Sequence, residues 1–96
     1  MYFTIVGTKH YYGDSFIEPG MEVSLVKDTD NELDSEAISV EVEGLGRIGF
    51  VANSPYTVLG ESFSAGRMYD KIENGAVGVV KYVLPRGVFC VLPEIS

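Results

Sequence analysis

Residues 38–51 read Ile38-Ser39-Val40-Glu41-Val42-Glu43-Gly44-Leu45-Gly46-Arg47-Ile48-Gly49-Phe50-Val51, and this stretch decides the fold. Ile38, Val40 and Val42 alternate with Ser39, Glu41 and Glu43, the period-2 pattern of a strand with three core-facing side chains and a wet face. Gly44-Leu45-Gly46 then turns the chain into a second strand, Arg47–Val51. A strand, a glycine turn and a strand make a β-hairpin. The same letters contain G-x-G-x-x-G from Gly44 to Gly49, the dinucleotide fingerprint. That motif works only where a strand hands over to a helix whose N-terminus holds the pyrophosphate. Phe50-Val51 continues as strand, so the hairpin turn is the better reading and no cofactor is expected.

Working outward, residues 2–8 are apolar and β-branched and read as a strand ending at Gly7-Thr8. Lys9 to Ser15 is a polar-aromatic loop, and Pro19-Gly20 is a turn. Met21, Val23 and Leu25 alternate with polar residues as a half-buried strand. Asp28 to Asp34 is a loop of turn-forming side chains. Downstream, Asn53-Ser54-Pro55 reads as a helix start, with Ser54 as cap and Pro55 at the first helical position. Val58, Leu59, Phe63, Tyr69 and Ile72 share one side of a helical wheel, and Asn74-Gly75 is a stop signal. Gly60 and Gly66 weaken a single straight helix, so two short helices or one bent one are expected. Ala76–Leu84 and Val88–Leu92 close the chain as two strands around Pro85-Arg86-Gly87. Four strands, a helical insertion and two strands exclude a doubly wound parallel sheet and fit a small, mainly β barrel of about six strands.

Composition agrees. The 96 residues fit one domain, 1–96, with a 46% apolar and 22% charged make-up that is ordinary for a globular chain. One cysteine, Cys90, precludes an internal disulfide, and one Cys with one His cannot supply a four-ligand zinc site. No apolar run is long enough to span a membrane, and the N-terminus lacks the basic region of a signal peptide. A cytoplasmic protein is therefore expected. The net charge is −7, which is not the signature of a DNA-coating protein. It is unevenly spread: Asp14 to Glu43 holds ten acids and only Lys27 as a base, whereas the remaining positions carry a net +2. The acidic segment reads as a solvated sheet face.

Three constellations carry possible chemistry. Asp28-Thr29-Asp30-Asn31-Glu32 resembles the start of a calcium loop, but Leu33 stands where glycine is needed and Ser39 where glutamate is needed. Asn31 and Asp34 are better read as hydrogen-bonding the loop backbone. Cys90 with His10 suggests a nucleophile and its base, yet Cys90 falls in the apolar alternation Val88, Cys90, Leu92 and reads as core. No enzymatic constellation emerges. His10-Tyr11-Tyr12 beside Lys9 leaves two readings open. Rings that stack on bases, next to a cation that meets phosphate, suit single-stranded nucleic acid; alternatively, some of these rings anchor the loop to the core.

In combination these features resemble one family. Val6-Gly7-Thr8-Lys9-His10-Tyr11 is similar to the opening V-G-x-R/K-x-Y pattern of the HIRAN domain. Leu25-x-x-Asp28-x-x-Asn31-x-x-Asp34-x-x-Ala37-Ile38-x-Val40 resembles its central signature, and Gly46-x-Ile48-Gly49-Phe50-Val51 the element that follows. The resemblance covers roughly residues 3–93, and the tract from Val51 through Lys71 resembles the bacterial, stand-alone branch. It implies an OB-like β-barrel with a helical insertion. It also implies a non-enzymatic, nucleic-acid-binding role, related to the module by which fork-remodelling translocases in DNA repair hold the 3′ end of single-stranded DNA. Lys9 then stands where an arginine meets phosphate, His10 where a tyrosine stacks on a base, and Asp34 where an aspartate accepts from the 3′-hydroxyl. Phe50 stands where a histidine lines the pocket, and Phe89 for a phenylalanine of the last strand. Tyr11 joins them from the aromatic loop. Leu33 and Asn53 depart from the pattern, in the places of a second stacking tyrosine and a phosphate-binding lysine. A protein partner met through the acidic sheet face is the alternative.

Overall fold

A computed structural model describes residues 1–73 and 75–93. The elements run in the order β1 (Tyr2–Val6), a 3-10 turn (Thr8–His10), β2 (Glu22–Lys27), β3 (Ile38–Val42), β4 (Gly46–Val51), α1 (Ala65–Met68), β5 (Ala76–Leu84) and β6 (Gly87–Val91). The strands form a closed barrel in the order β1-β4-β3-β2-β5-β6, every pair antiparallel. This is the six-stranded β architecture with a short helical insertion after the fourth strand that the sequence leads one to expect. Among the described residues no helix is long and apolar enough to cross a membrane. Asn74, half of the expected stop signal, and residues 94–96 lie outside the described residues.

Alternation puts one side chain in two inside the barrel. Phe3 and Ile5, Val23 and Leu25, Ile38 and Val40, and Val88 and Cys90 are all almost fully buried and pack as one core with Ile48, Met68 and Val80. The expected core triplet needs one correction: Val42 sits at the barrel's end and is only half-buried. Ser39 also departs from expectation. It points outward yet is buried, because Arg47 lies over it and Nε donates to its Oγ at 2.9 Å.

The pairing of β3 with β4 contains a bulge. Val40 pairs with Gly49 and Glu41 with Arg47, so β4 carries one extra residue, Ile48, at this point. Gly49 is needed there for space: a Cβ would stand 2.7 Å from the carbonyl oxygen of Val6 and 3.0 Å from Cγ2 of Ile5. The bulge also breaks the strict alternation, so Arg47 and Phe50, three residues apart, emerge on the same outer face.

The insertion corrects the helix reading. Ser54 does start a turn, its carbonyl accepting from Thr57 and Val58 N–H, and its Oγ from Tyr56 N–H. The turn does not propagate. Gly60 takes φ +56°, and Phe63 is drawn into the sheet, its N–H donating to the carbonyl of Tyr2 at 2.7 Å. Among the described residues the one α-helical turn begins instead at Ala65, capped by Ser64, whose Oγ accepts from Arg67 N–H. Between these points the chain crosses the outer side of β1. Thr4 Oγ1 there accepts from Leu59 N–H at 3.1 Å and shares a hydrogen bond with Ser62 Oγ at 2.8 Å, satisfying two buried hydroxyls.

Candidate nucleic-acid interface

At Gly7 the chain leaves β1 and folds into the 3-10 turn. The carbonyl of Thr8 accepts from both Tyr11 and Gly13 N–H, at 2.9 Å each, which fixes a tight loop with Lys9, His10 and Tyr11 on its exposed side. The two tyrosines take different roles. Tyr12 anchors the loop: its hydroxyl donates to the carbonyl of Leu45 at 3.2 Å and its ring meets Phe16 edge-on. Tyr11 lies instead beside Phe50, ring centroids 6.3 Å apart. Tyr12 thus ties the loop to the turn after β3 although its ring stays exposed, and Lys9, His10 and Tyr11 are exposed as well.

Phe50 pairs with Val6 on one side and Ser39 on the other, so it lies on the outer face of β4. The Arg47 guanidinium stacks over it at 4.8 Å from the ring centroid. That guanidinium is fixed at two further points, by Ser39 and by an ion pair to Asp28 at 3.3 Å. Tyr11, Phe50 and Arg47 form a row of planar groups beside Lys9 and His10. Reading the sequence missed Arg47: on a regular strand it faces away from Phe50, and only the bulge brings them together.

Asp34 is built into its loop. Asn31 Oδ1 accepts from Leu33 and Asp34 N–H at 2.9 Å each, and Asp34 Oδ1 accepts from Glu36 N–H at 2.9 Å. Asn31 and Asp34 thus fix the loop backbone as expected. Asp34 Oδ2 also accepts from Asn53 Nδ2 at 2.9 Å, while Asn53 Oδ1 accepts from Gly66 N–H at 2.7 Å. Asn53 ties the acidic loop to the exit of β4 and the start of α1. It lies three residues beyond Phe50, so Asp34 is held just past the exit of the strand that carries that ring. Leu33 stands at the loop tip, 98% exposed.

Phe89 belongs to a different group. It lies on the outer face of β6, stacked between Tyr2, 5.1 Å away, and Tyr82, 6.2 Å away. The insertion over Thr4 comes between this ladder and the Phe50 strip. Cys90, next in the chain, faces inward, and burial pushes its thiol up to about 12, so it stays protonated as a core residue.

No curated protein and no solved structure gives a significant match to this chain. The family model for the HIRAN domain matches residues 1–70, nearly three quarters of the sequence, and spans the 3-10 turn, the acidic loop and the bulged hairpin. With that match and the barrel just described, the chain belongs to the HIRAN domain family, whose members in general bind nucleic acid.

Proposed function

We propose that this HIRAN domain is a non-enzymatic module that binds single-stranded DNA and holds its 3′ end, a role suited to the repair of DNA. The observation that carries this reading is the strip formed by Lys9, His10, Tyr11, Phe50 and Arg47. Planar rings and a guanidinium accept bases by stacking, which is tolerant of sequence, and Lys9 meets the backbone charge. Just past the exit of the strand that carries Phe50, Asp34 spends one lone pair on Glu36 N–H and one on Asn53. A carboxylate has about four such sites, so it retains capacity for a terminal 3′-hydroxyl. The acidic outer face of β2 and β3, with Glu22 and Glu41, favours a second reading, a basic protein partner.

Asp34→Asn tests the first reading, because it keeps the size and one acceptor while removing the charge. It is expected to cost about 0.5–1.5 kcal/mol of stability through the weakened loop. Wild type should prefer an oligonucleotide with a free 3′-hydroxyl over one with a 3′-phosphate, which the carboxylate repels, and the substitution should shrink that preference. Equal binding of both ends by wild type, or an unchanged ratio in the variant, would refute end recognition.

A further inference from the structure

A cleft of about 290 Å³ lies between the loop that follows β1 and the turn that joins β5 to β6. Val6 and Val88 line it together with Lys9 and Asp14 from the loop and Pro85 and Arg86 from the turn. Two cations from separate elements therefore reach one cleft. Among the described residues the sole ion pair is Arg47 with Asp28, so neither Lys9 nor Arg86 is neutralised by a carboxylate, including Asp14 beside them. Arg86 is oriented by one hydrogen bond, Nη2 donating to the carbonyl of Tyr56 at 3.3 Å, and its side chain is otherwise exposed. Its position is fixed by close packing: a Cβ on Gly87 would come within 2.9 Å of Thr4 Cγ2, so the turn sits hard against β1. Two cations without an ion-pair partner among the described residues outnumber Asp14 along this cleft, which makes it a seat for an anion, and the planar fork of arginine suits a phosphate.

We propose that this cleft seats a backbone phosphate of the bound single strand, with Arg86 as the second phosphate-binding residue beside Lys9. The proposal rests on the DNA reading above and deepens it. Asn53, near Asp34, is uncharged and committed to Asp34 and Gly66, so it offers a phosphate no cation. The strand then leaves the Tyr11–Phe50 strip toward the β5–β6 turn.

The test is fluorescence anisotropy of a 5′-labelled ten-residue thymidine oligonucleotide with a free 3′-hydroxyl, titrated at several salt concentrations. Arg86→Gln should weaken binding about 3–10-fold at low salt and reduce the log–log salt slope by about 0.7, the value of one phosphate on a single strand. Arg86→Lys should keep the slope, which separates charge from the lost bond to Tyr56. Asp14→Asn should act in the opposite direction and tighten binding by about 2–3-fold, since among the described residues it removes the only carboxylate lining the cleft. If wild type binds and Arg86→Gln changes neither affinity nor slope, while melting as wild type does, the cleft is not a phosphate seat and the strip remains the site. If wild type does not bind the oligonucleotide, the DNA reading and this proposal both fall.

Discussion

The barrel has two unlike halves. β2 and β3 and the loop between them hold Glu22, Asp28, Asp30, Glu32, Asp34, Glu36 and Glu41. β1, β5 and β6 contain no acid, and their charged positions, with the turn between β5 and β6, are Lys81 and Arg86. Both halves share one core and one hydrogen-bonding ladder, so the fold is indifferent to the asymmetry. A ligand is not. At physiological salt, exposed charges more than about 8 Å away are largely screened, so an anion at the cleft meets Lys9 and Arg86 more than it meets a net charge of −7. The overall charge of a small barrel is thus a poor guide to which polymer it tolerates.

The halves meet directly where β2 pairs with β5 and, on the other side, across β4, and breaking β4 should give the largest effect. Gly49→Ala forces a Cβ against the Val6 carbonyl, a backbone atom that cannot swing aside. We expect a loss of about 2–3 kcal/mol or more in urea denaturation, together with loss of DNA binding as Arg47 and Phe50 separate. An unchanged midpoint would show that the bulge relaxes cheaply and does not hold the site. The shared core predicts a second contrast. Val40→Ala removes a fully buried side chain of β3 and should cost about 1–3 kcal/mol, whereas Val77→Ala on the outer face of β5, where Val77 is 52% exposed, should stay within about 0.5 kcal/mol. Equal losses would mean that the outer face of the acid-free half is covered by something in solution.

The smallest effects bear on charge itself. Lys9→Gln should weaken oligonucleotide binding about 3–10-fold, while Glu22→Gln, on the acidic half, should change it less than about 2-fold. The wild-type salt slope should correspond to about one to three phosphates. A steep slope, or a large gain on removing Glu22, would mean that the bound strand crosses the acidic half and that the division drawn above is not the one the ligand meets.

How much of this was legible in the sequence depends on range. The strands were, because alternation in Ile38–Val42 and Val88–Leu92 is a local record of which side faces the core. The loop clips of Asn31 and Asp34 were too, since these side chains bond backbone groups two or three residues away. The helix start was misread at Ser54 because a capped first turn looks the same whether or not it propagates. What stopped it was partly distant: beside the local break at Gly60, β1 claims Leu59 and Phe63. Arg47 escaped notice for a similar reason. One extra residue in β4 is visible only against the register of β3, and without it period 2 assigns Arg47 and Phe50 to opposite faces. The family pattern brought Lys9, His10, Asp34 and Phe50 to attention, but not the grouping of Phe89 with Tyr2 and Tyr82, which depends on how β1, β5 and β6 pair.

The closure of the barrel has a mechanical side. Tyr2 pairs with Val91, and Leu92 N–H donates to the carbonyl of Met1 at 2.7 Å, so the first and last described strands are antiparallel neighbours with their outer ends side by side. A force that draws those ends apart acts across the β1–β6 seam and loads its hydrogen bonds one after another, like a zip, instead of all together in shear. The domain should therefore yield to tension between its ends at a far lower force than its packed core suggests.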